Sequence, residues 1–284
     1  MGLCGTNGHV GLPFCSLRGS CQPHRAQPRR GKPDSTFLPD LGSFTTMNPA
    51  EQPSPPTPAR PGPNAGLALV GAVGAVIFSL LVLAGDRVYD AVTEAEGIAG
   101  LDRPVLDWVI AHRTPELNSA ITTFTNLGLT VPMVVMAVLL SGLLYWHYRE
   151  ISIWVLMVIA ATGSVIFTWV GKAAVGRQRP PVVDAVAPYE TSFSFPSGHT
   201  LNSTVIAGML AYLTFWLAKR AWVRVLTIIA AVVWAVSMGL SRIYLGHHWL
   251  TDVVFAWLLG MAWLALLITA HQLLLRFPFG RPSR

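Results

Sequence analysis

Three polar stretches interrupt an otherwise apolar chain, and each carries residues suited to handling phosphate. In Ser241-Arg242-Ile243-Tyr244-Leu245-Gly246-His247-His248-Trp249-Leu250-Thr251-Asp252, the residues His248 and Asp252 stand four apart. On a helix that spacing lets the carboxylate accept a hydrogen bond from one imidazole nitrogen while the other is aimed outward, which is how a nucleophilic histidine is oriented. An ionisable Asp252 at the edge of an apolar run is costly unless it is paired. His247 would point about 100° away from His248 on a helix, so only His248 has the spacing to Asp252. The plainer alternative is a capping aspartate beside an unrelated histidine.

The second stretch is Lys172-Ala173-Ala174-Val175-Gly176-Arg177-Gln178-Arg179-Pro180. If helix continues through it, Lys172 and Arg179 project from nearly one face about two turns apart, and both reach one anion. Taken alone they read equally well as cations snorkelling at a helix end. The third stretch is Phe195-Pro196-Ser197-Gly198-His199-Thr200. A Ser-Gly pair at a helix start offers a hydroxyl and open amides where the dipole favours an anion, and Gly198 permits close approach of a phosphate. Taken alone, Ser197 reads as an N-cap and His199 as an interfacial polar residue. A metal bound by His199, His247, His248 and Asp252 is a further reading. It is disfavoured because Lys172, Arg179 and Arg242 would repel a divalent cation and attract a phosphate.

The elements that must position these residues are membrane helices. The chain is 52% hydrophobic and only 12% charged, against roughly 25% charged in soluble domains. Its apolar residues gather into six runs, approximately Leu67–Ala84, Leu127–Tyr148, Ile151–Val170, Leu201–Leu217, Val223–Leu240 and Val253–Leu274. Each is near the length that spans a bilayer as helix, and lipid leaves no other way to satisfy the backbone. The expected fold is therefore all-α, a polytopic membrane protein with a six-helix bundle over residues 66–275. Interruptions such as Pro132 are tolerable where neighbouring helices pack. Between the first two runs, Arg103–Asn126 mixes Val105, Leu106, Trp108 and Val109 with charged residues, which predicts one or two short helices along the interface.

Residues 1–65 are rich in Pro, Gly, Ser and Arg and lack apolar periodicity, so a disordered tail is expected there. It lacks the apolar core of a signal peptide, so the first span should remain as an anchor. Met1-Gly2-Leu3-Cys4 formally fits an acylation motif, Met47 offers an alternative start, and Cys4, Cys15 and Cys21 read as incidental. Residues 276–284 form a basic tail. The net charge of +6 does not imply nucleic acid, because the basic residues sit at run ends and in one polar loop. With the basic tails inside, Arg149, the Lys219-Arg220-Arg224 turn and Arg276-Arg281-Arg284 are cytoplasmic, and the three polar stretches lie on the extracytoplasmic face. Lys172, Arg177, Arg179 and Arg242 violate the positive-inside trend there, and so need another reason to be present.

Together the stretches resemble the signature of the type 2 phosphatidic acid phosphatase superfamily: Lys172, six residues, Arg179-Pro180; then Pro196-Ser197-Gly198-His199; then Ser241-Arg242, five residues, His248, three residues, Asp252. All three match in order and without substitution. The resemblance implies a phosphatase acting on a lipid phosphate or pyrophosphate, with undecaprenyl pyrophosphate and phosphatidate-type lipids both fitting. It implies His248 as nucleophile forming a phosphohistidine, Asp252 as its orienting partner and His199 as general acid. Lys172, Arg179, Ser197, Gly198 and Arg242 are implied as the phosphate-binding set, with no metal and no cofactor. Arg177 is not a motif position. A phosphotransferase and, more remotely, a vanadate-dependent haloperoxidase share the site. The expected partners are the lipid substrate and the bilayer.

Overall fold

A computed structural model of the chain describes residues 63–276. The expected tail with its cysteines, acylation motif and Met47 lies outside the described residues, except for residues 63–65, which open the first helix. The basic end also lies outside them, apart from Arg276.

Among the described residues, eight α-helices follow in order: α1 (Pro63–Glu94), α2 (Asp102–Ala111), α3 (Pro115–Thr125), α4 (Thr130–Tyr148), α5 (Ser152–Val175), α6 (Gly198–Leu217), α7 (Ala221–Tyr244) and α8 (Leu250–Arg276). Six of them, all but α2 and α3, are long and apolar enough to cross a membrane, as the six apolar runs predict. The protein is an all-helical, multi-pass membrane protein. Helix α1 differs most from expectation, running past Ala84 to Glu94 over 32 residues. That is about 48 Å of helix against a hydrocarbon core of about 30 Å, so its polar end carrying Asp86, Asp90 and Glu94 projects beyond the span. Pro132 falls in the first turn of α4, where the amide it lacks has no intrahelical partner in any case.

Helix α6 is the centre of the bundle. Over half of its spanning window is buried, compared with 6% for α1. Leu201, Val205, Met209 and Leu213, each at 0% exposure, form an i, i+4 row along it and pack with Ile153, Met157 and Ala160 of α5 and Ala256 of α8. The outer faces of α1 and α7 present Leu69, Val73, Leu80, Leu226, Ile229 and Val233 outward. A surface so apolar suits lipid rather than water.

The expected interfacial segment forms α2 and α3. Thr114 caps α3 by accepting the Leu117 amide at 3.2 Å, with Pro115 in the first turn. Leu106 and Val109 of α2 are buried. Val105, Trp108 and Val109 share one side, which opens on a cavity of about 620 Å³ also lined by Phe124, Leu240 and Tyr244.

Two turns set the site. Helix α5 ends at Gly176 in the left-handed conformation, φ 62°, so the chain leaves the helix before Arg179. Helix α7 gives way to Gly246, φ 71°, where a Cβ would lie 2.5 Å from the Asp184 carbonyl oxygen. Only glycine fits both the conformation and the contact. The reversal it permits carries His247 and His248 back across the end of the bundle.

Candidate active site

His248 and Asp252 meet, although not as two residues of one helix. Helix α8 starts at Leu250, so His248 lies in the turn before it. Asp252 sits in the first turn of α8, and its Oδ2 accepts the Trp249 amide at 2.9 Å, the reach-back half of a capping box. His248 Nδ1 is 3.4 Å from the same Oδ2. The Ser194 hydroxyl donates to Asp252 Oδ2 and lies 3.4 Å from His248 Nδ1. On the other side of the ring, Arg179 Nη1 is 3.1 Å from Nε2. A guanidinium can only donate, so Nε2 must carry the lone pair and Nδ1 the proton. Burial first, and then the charges of Arg179 and Arg242, hold the His248 pKa well below the usual 6.5. The ring is therefore a neutral imidazole with its lone pair facing the cationic cluster.

The cluster is assembled from the ends of α5 and α7 and the extended chain that follows α5. Lys172, near the end of α5, donates to Ser192 Oγ at 3.1 Å and to the Phe193 carbonyl. Arg179 is not two turns further along a helix as the spacing predicts, because Gly176 ends α5; it lies on the extended chain beyond. It reaches the same place by another route, its Nε donating to the Ser192 carbonyl at 2.6 Å and its Nη2 to Ser192 Oγ at 3.1 Å. Arg242, in the last turn of α7, is 2% exposed. Its Nη1 donates to Thr125 Oγ1 at 3.1 Å.

Between Arg179 and Arg242 lies the Glu190 carboxylate, ion-paired to both, at 2.7 Å from Arg179 Nη2. Burial would raise this carboxyl, but the charges around it, Arg242 foremost and then Arg179, outweigh it and hold the pKa at about 2. The groups facing Glu190 are thus largely those expected to face phosphate. His199, in the first turn of α6, keeps Nε2 buried without a partner among the described residues.

Ser197 adjoins this cluster through its amide, which donates to the Asp252 carbonyl at 3.3 Å. Ser197 is fully buried and pairs its hydroxyl with Thr200 Oγ1 at 2.9 Å. A Cβ on Gly198 would lie 3.0 Å from Thr168, so the glycine lets α6 approach α5. His247 turns its Nε2 to the Val186 carbonyl at 2.7 Å. Burial, then Arg242, lowers its pKa to about 4.

Behind Asp252 is a layer that motif reading misses. Arg177 places Nη1 2.5 Å from Asp252 Oδ1 and Nη2 2.7 Å from Asp102 Oδ2. Asp102 in turn accepts the Thr251 amide at 2.9 Å and the Thr251 hydroxyl at 2.7 Å. Arg177 carried one signal, a cation among motif cations; Asp102, Ser194 and Glu190 carried none.

Comparison with known families matches residues 152–276 to the PAP2 superfamily. Phosphatidylglycerophosphatase B of Bacillus subtilis (strain 168) is 30% identical over 175 residues, covering 60% of this chain and 83% of that one. The chain belongs to the PAP2 superfamily. This PAP2 protein is also 32% identical over 132 residues to an undecaprenyl-diphosphatase of Sulfolobus acidocaldarius, spanning 45% of its own length but only 59% of the relative's. The crystal structure of a transmembrane PAP2-type phosphatidylglycerolphosphate phosphatase from Bacillus subtilis superposes with a TM-score of 0.60 at 26% identity, covering 70% of this chain and 95% of that one. The family and its relatives make this PAP2 protein a membrane lipid phosphatase.

Proposed function

We propose that the protein hydrolyses the terminal phosphate of a lipid phosphate or pyrophosphate through a phosphohistidine on His248, at the extracytoplasmic end of the bundle formed by residues 66–275. The observation that carries the reading is the placement of His248 Nε2. Its lone pair faces Arg179 while Nδ1 is backed by Asp252 and Ser194. In the reaction, Nε2 attacks phosphorus and the bond to the leaving oxygen breaks. Asp252 steadies the charge that develops on the ring. His199 gives its proton to the leaving oxygen, a role supported by its buried Nε2, which has no partner among the described residues. Neutral again, His199 takes a proton from water as that water attacks the phosphohistidine. Inorganic phosphate leaves and His248 is restored. Lys172, Arg179 and Arg242 supply the positive charge that neutralises the phosphoryl oxygens.

A lipid substrate is supported by the apolar cavity beside the site. Ser241 lines it, and the Ser241 hydroxyl bonds Thr125, which also receives Arg242. A head group on Arg242 would thus have its tails at the mouth of an apolar groove. The names of the relatives point to phosphatidylglycerophosphate-type and undecaprenyl pyrophosphate-type head groups. Extracytoplasmic placement is supported by Arg149, Lys219, Arg220 and Arg276, basic residues that helix alternation sets at the end opposite the site.

The test is phosphate release by the detergent-purified protein from an isoprenyl pyrophosphate and a lipid phosphate monoester, in excess EDTA, beside His248→Ala. Release that persists in EDTA and disappears in the variant is expected. Release that survives in His248→Ala overturns the nucleophile, and release abolished by EDTA overturns the metal-free mechanism.

A further inference from the structure

We propose that Arg177 and Asp102 are positioning residues for the reaction, holding Asp252 charged and in the one rotation that presents an oxygen to His248. The inference deepens the proposed function, since it rests on His248 as the reacting group.

Asp252 is 0% exposed and Asp102 5% exposed. A carboxylate taken out of water remains ionised only where an opposite charge and hydrogen bonds compensate it. Arg177 is the charge that touches both, one nitrogen to each, and it also donates to Thr251 Oγ1 at 2.8 Å. Its guanidinium lies 5.7 Å from the centre of the Trp249 ring. The fork is therefore fixed on three sides, and a planar fork sets the direction of each oxygen it grips.

The two oxygens of Asp252 are consequently not interchangeable. Oδ1 is taken by Arg177, whereas Oδ2 faces the Trp249 amide, Ser194 and His248 Nδ1. Without Arg177 the carboxylate could rotate about its bond to Cβ, and the Nδ1 proton would lose its fixed acceptor. Asp102 acts one step further out. It comes from α2, outside the six spans, yet it accepts the Thr251 amide in the first turn of α8. A side chain from a distant helix thus closes the amide end of the helix that bears Asp252 and fixes Arg177 at the same time. None of these contacts touches Lys172 or Arg242, so the layer orients the nucleophile without holding phosphate.

The experiment compares Arg177→Met, Arg177→Lys and Asp102→Asn in the full-length, detergent-purified protein. Three readouts are taken: kcat and KM for phosphate release, vanadate affinity by direct titration, and the His248 Nδ1 proton in ¹⁵N-histidine spectra. Arg177→Met is expected to lose about 100-fold in kcat, by analogy with the loss of the outer partners that orient metal-ligating histidines. KM and vanadate affinity should stay within about threefold, as for the loss of an interaction felt at the transition state rather than in binding. Arg177→Lys, keeping the charge but not the fork, should recover part of kcat. Asp102→Asn keeps an acceptor for the Thr251 amide and drops the charge, and it should fall between the two. In each variant the His248 Nδ1 proton should move upfield in step with the loss of kcat.

Full kcat in Arg177→Lys and Asp102→Asn with an unmoved Nδ1 proton overturns the proposal, even if Arg177→Met does not fold. Parallel loss of vanadate affinity and kcat overturns it as well, since that marks general collapse of the site. The spectrum does not depend on turnover. If the wild type releases no phosphate yet the Nδ1 proton moves in the variants, the reaction is misassigned and the positioning stands. If the wild type releases phosphate and the proton does not move, the positioning alone falls.

Discussion

Glu190 is ion-paired with the buried guanidinium of Arg242, and the same carboxylate reaches Arg179, so an acidic side chain of the protein fills the space between the two arginines proposed to hold phosphate. Residues 187–193 around it are exposed apart from Glu190 itself. Among the described residues, none of their amides donates to another backbone carbonyl outside a helix. The strap is held by what it gives to Lys172, Arg179 and Arg242, and a substrate phosphate competes for those donors. Glu190→Gln should therefore bind vanadate at least about fivefold more tightly, because removing a competitor raises the fraction of binding-competent sites. Titration of vanadate into both proteins checks this. Equal or weaker binding by the variant would mean that the pair is structural only.

The two adjacent histidines should separate cleanly. His248 carries the reactive nitrogen, whereas His247 spends its Nε2 on the Val186 carbonyl. His248→Ala is expected to abolish turnover and the acid-labile phosphoenzyme that forms when a ³²P-labelled substrate is quenched in alkali-stable form. His247→Ala loses one hydrogen bond to the loop, worth about 1 kcal/mol, and should keep turnover within about tenfold. Equal loss at both positions, or phosphoenzyme in His248→Ala, would reverse the assignment.

The parts of this arrangement that the sequence displays are those written in short intervals. Lys172 and Arg179, Pro196 to His199, and Arg242, His248 and Asp252 stand close together along the chain, and the six apolar runs are long enough to be read by length alone. Helical spacing points to the correct neighbours by an incorrect route. His248 precedes α8 and Arg179 follows the end of α5, so turns rather than helix faces bring them to the site. The second layer is written in long intervals. Arg177 pairs with Asp102 from 75 residues away and Ser194 reaches Asp252 across 58, and no periodicity links such positions. Asp102 resembled its acidic neighbours Asp86, Asp90 and Asp107 until the fold turned it inward.

Ser194 is a test of that second layer. Its hydroxyl donates to Asp252 Oδ2 beside His248 Nδ1, fully buried. Ser194→Ala removes one hydrogen bond to a buried carboxylate, and such bonds to charged groups contribute about 1.5–3 kcal/mol. A fall in kcat of about 10- to 100-fold is expected, with KM nearly unchanged because no phosphate-binding cation is touched. Ser194→Thr, which keeps the hydroxyl, should retain more activity than the alanine variant. Steady-state kinetics on the two variants decides it, and a rise in KM without loss of kcat would place Ser194 on the substrate side instead.

Acid should dissolve the Glu190 ion pairs in a defined window. The carboxyl is held at about 2 in the folded protein, against 4.5 for the free side chain. A carboxyl whose folded pKa is depressed binds fewer protons folded than unfolded. Its contribution to stability is then fully present above pH 4.5 and is lost as pH falls through the window towards about 2. Two and a half pKa units correspond to a contribution on the order of 3 kcal/mol. Glu190→Gln lacks this group, so the wild type should exceed it in thermal stability at pH 6 and the two should converge as pH drops below 4. Thermal unfolding of both proteins in detergent across that range measures the difference directly, and a constant gap at every pH would show that Glu190 does not titrate with its arginines.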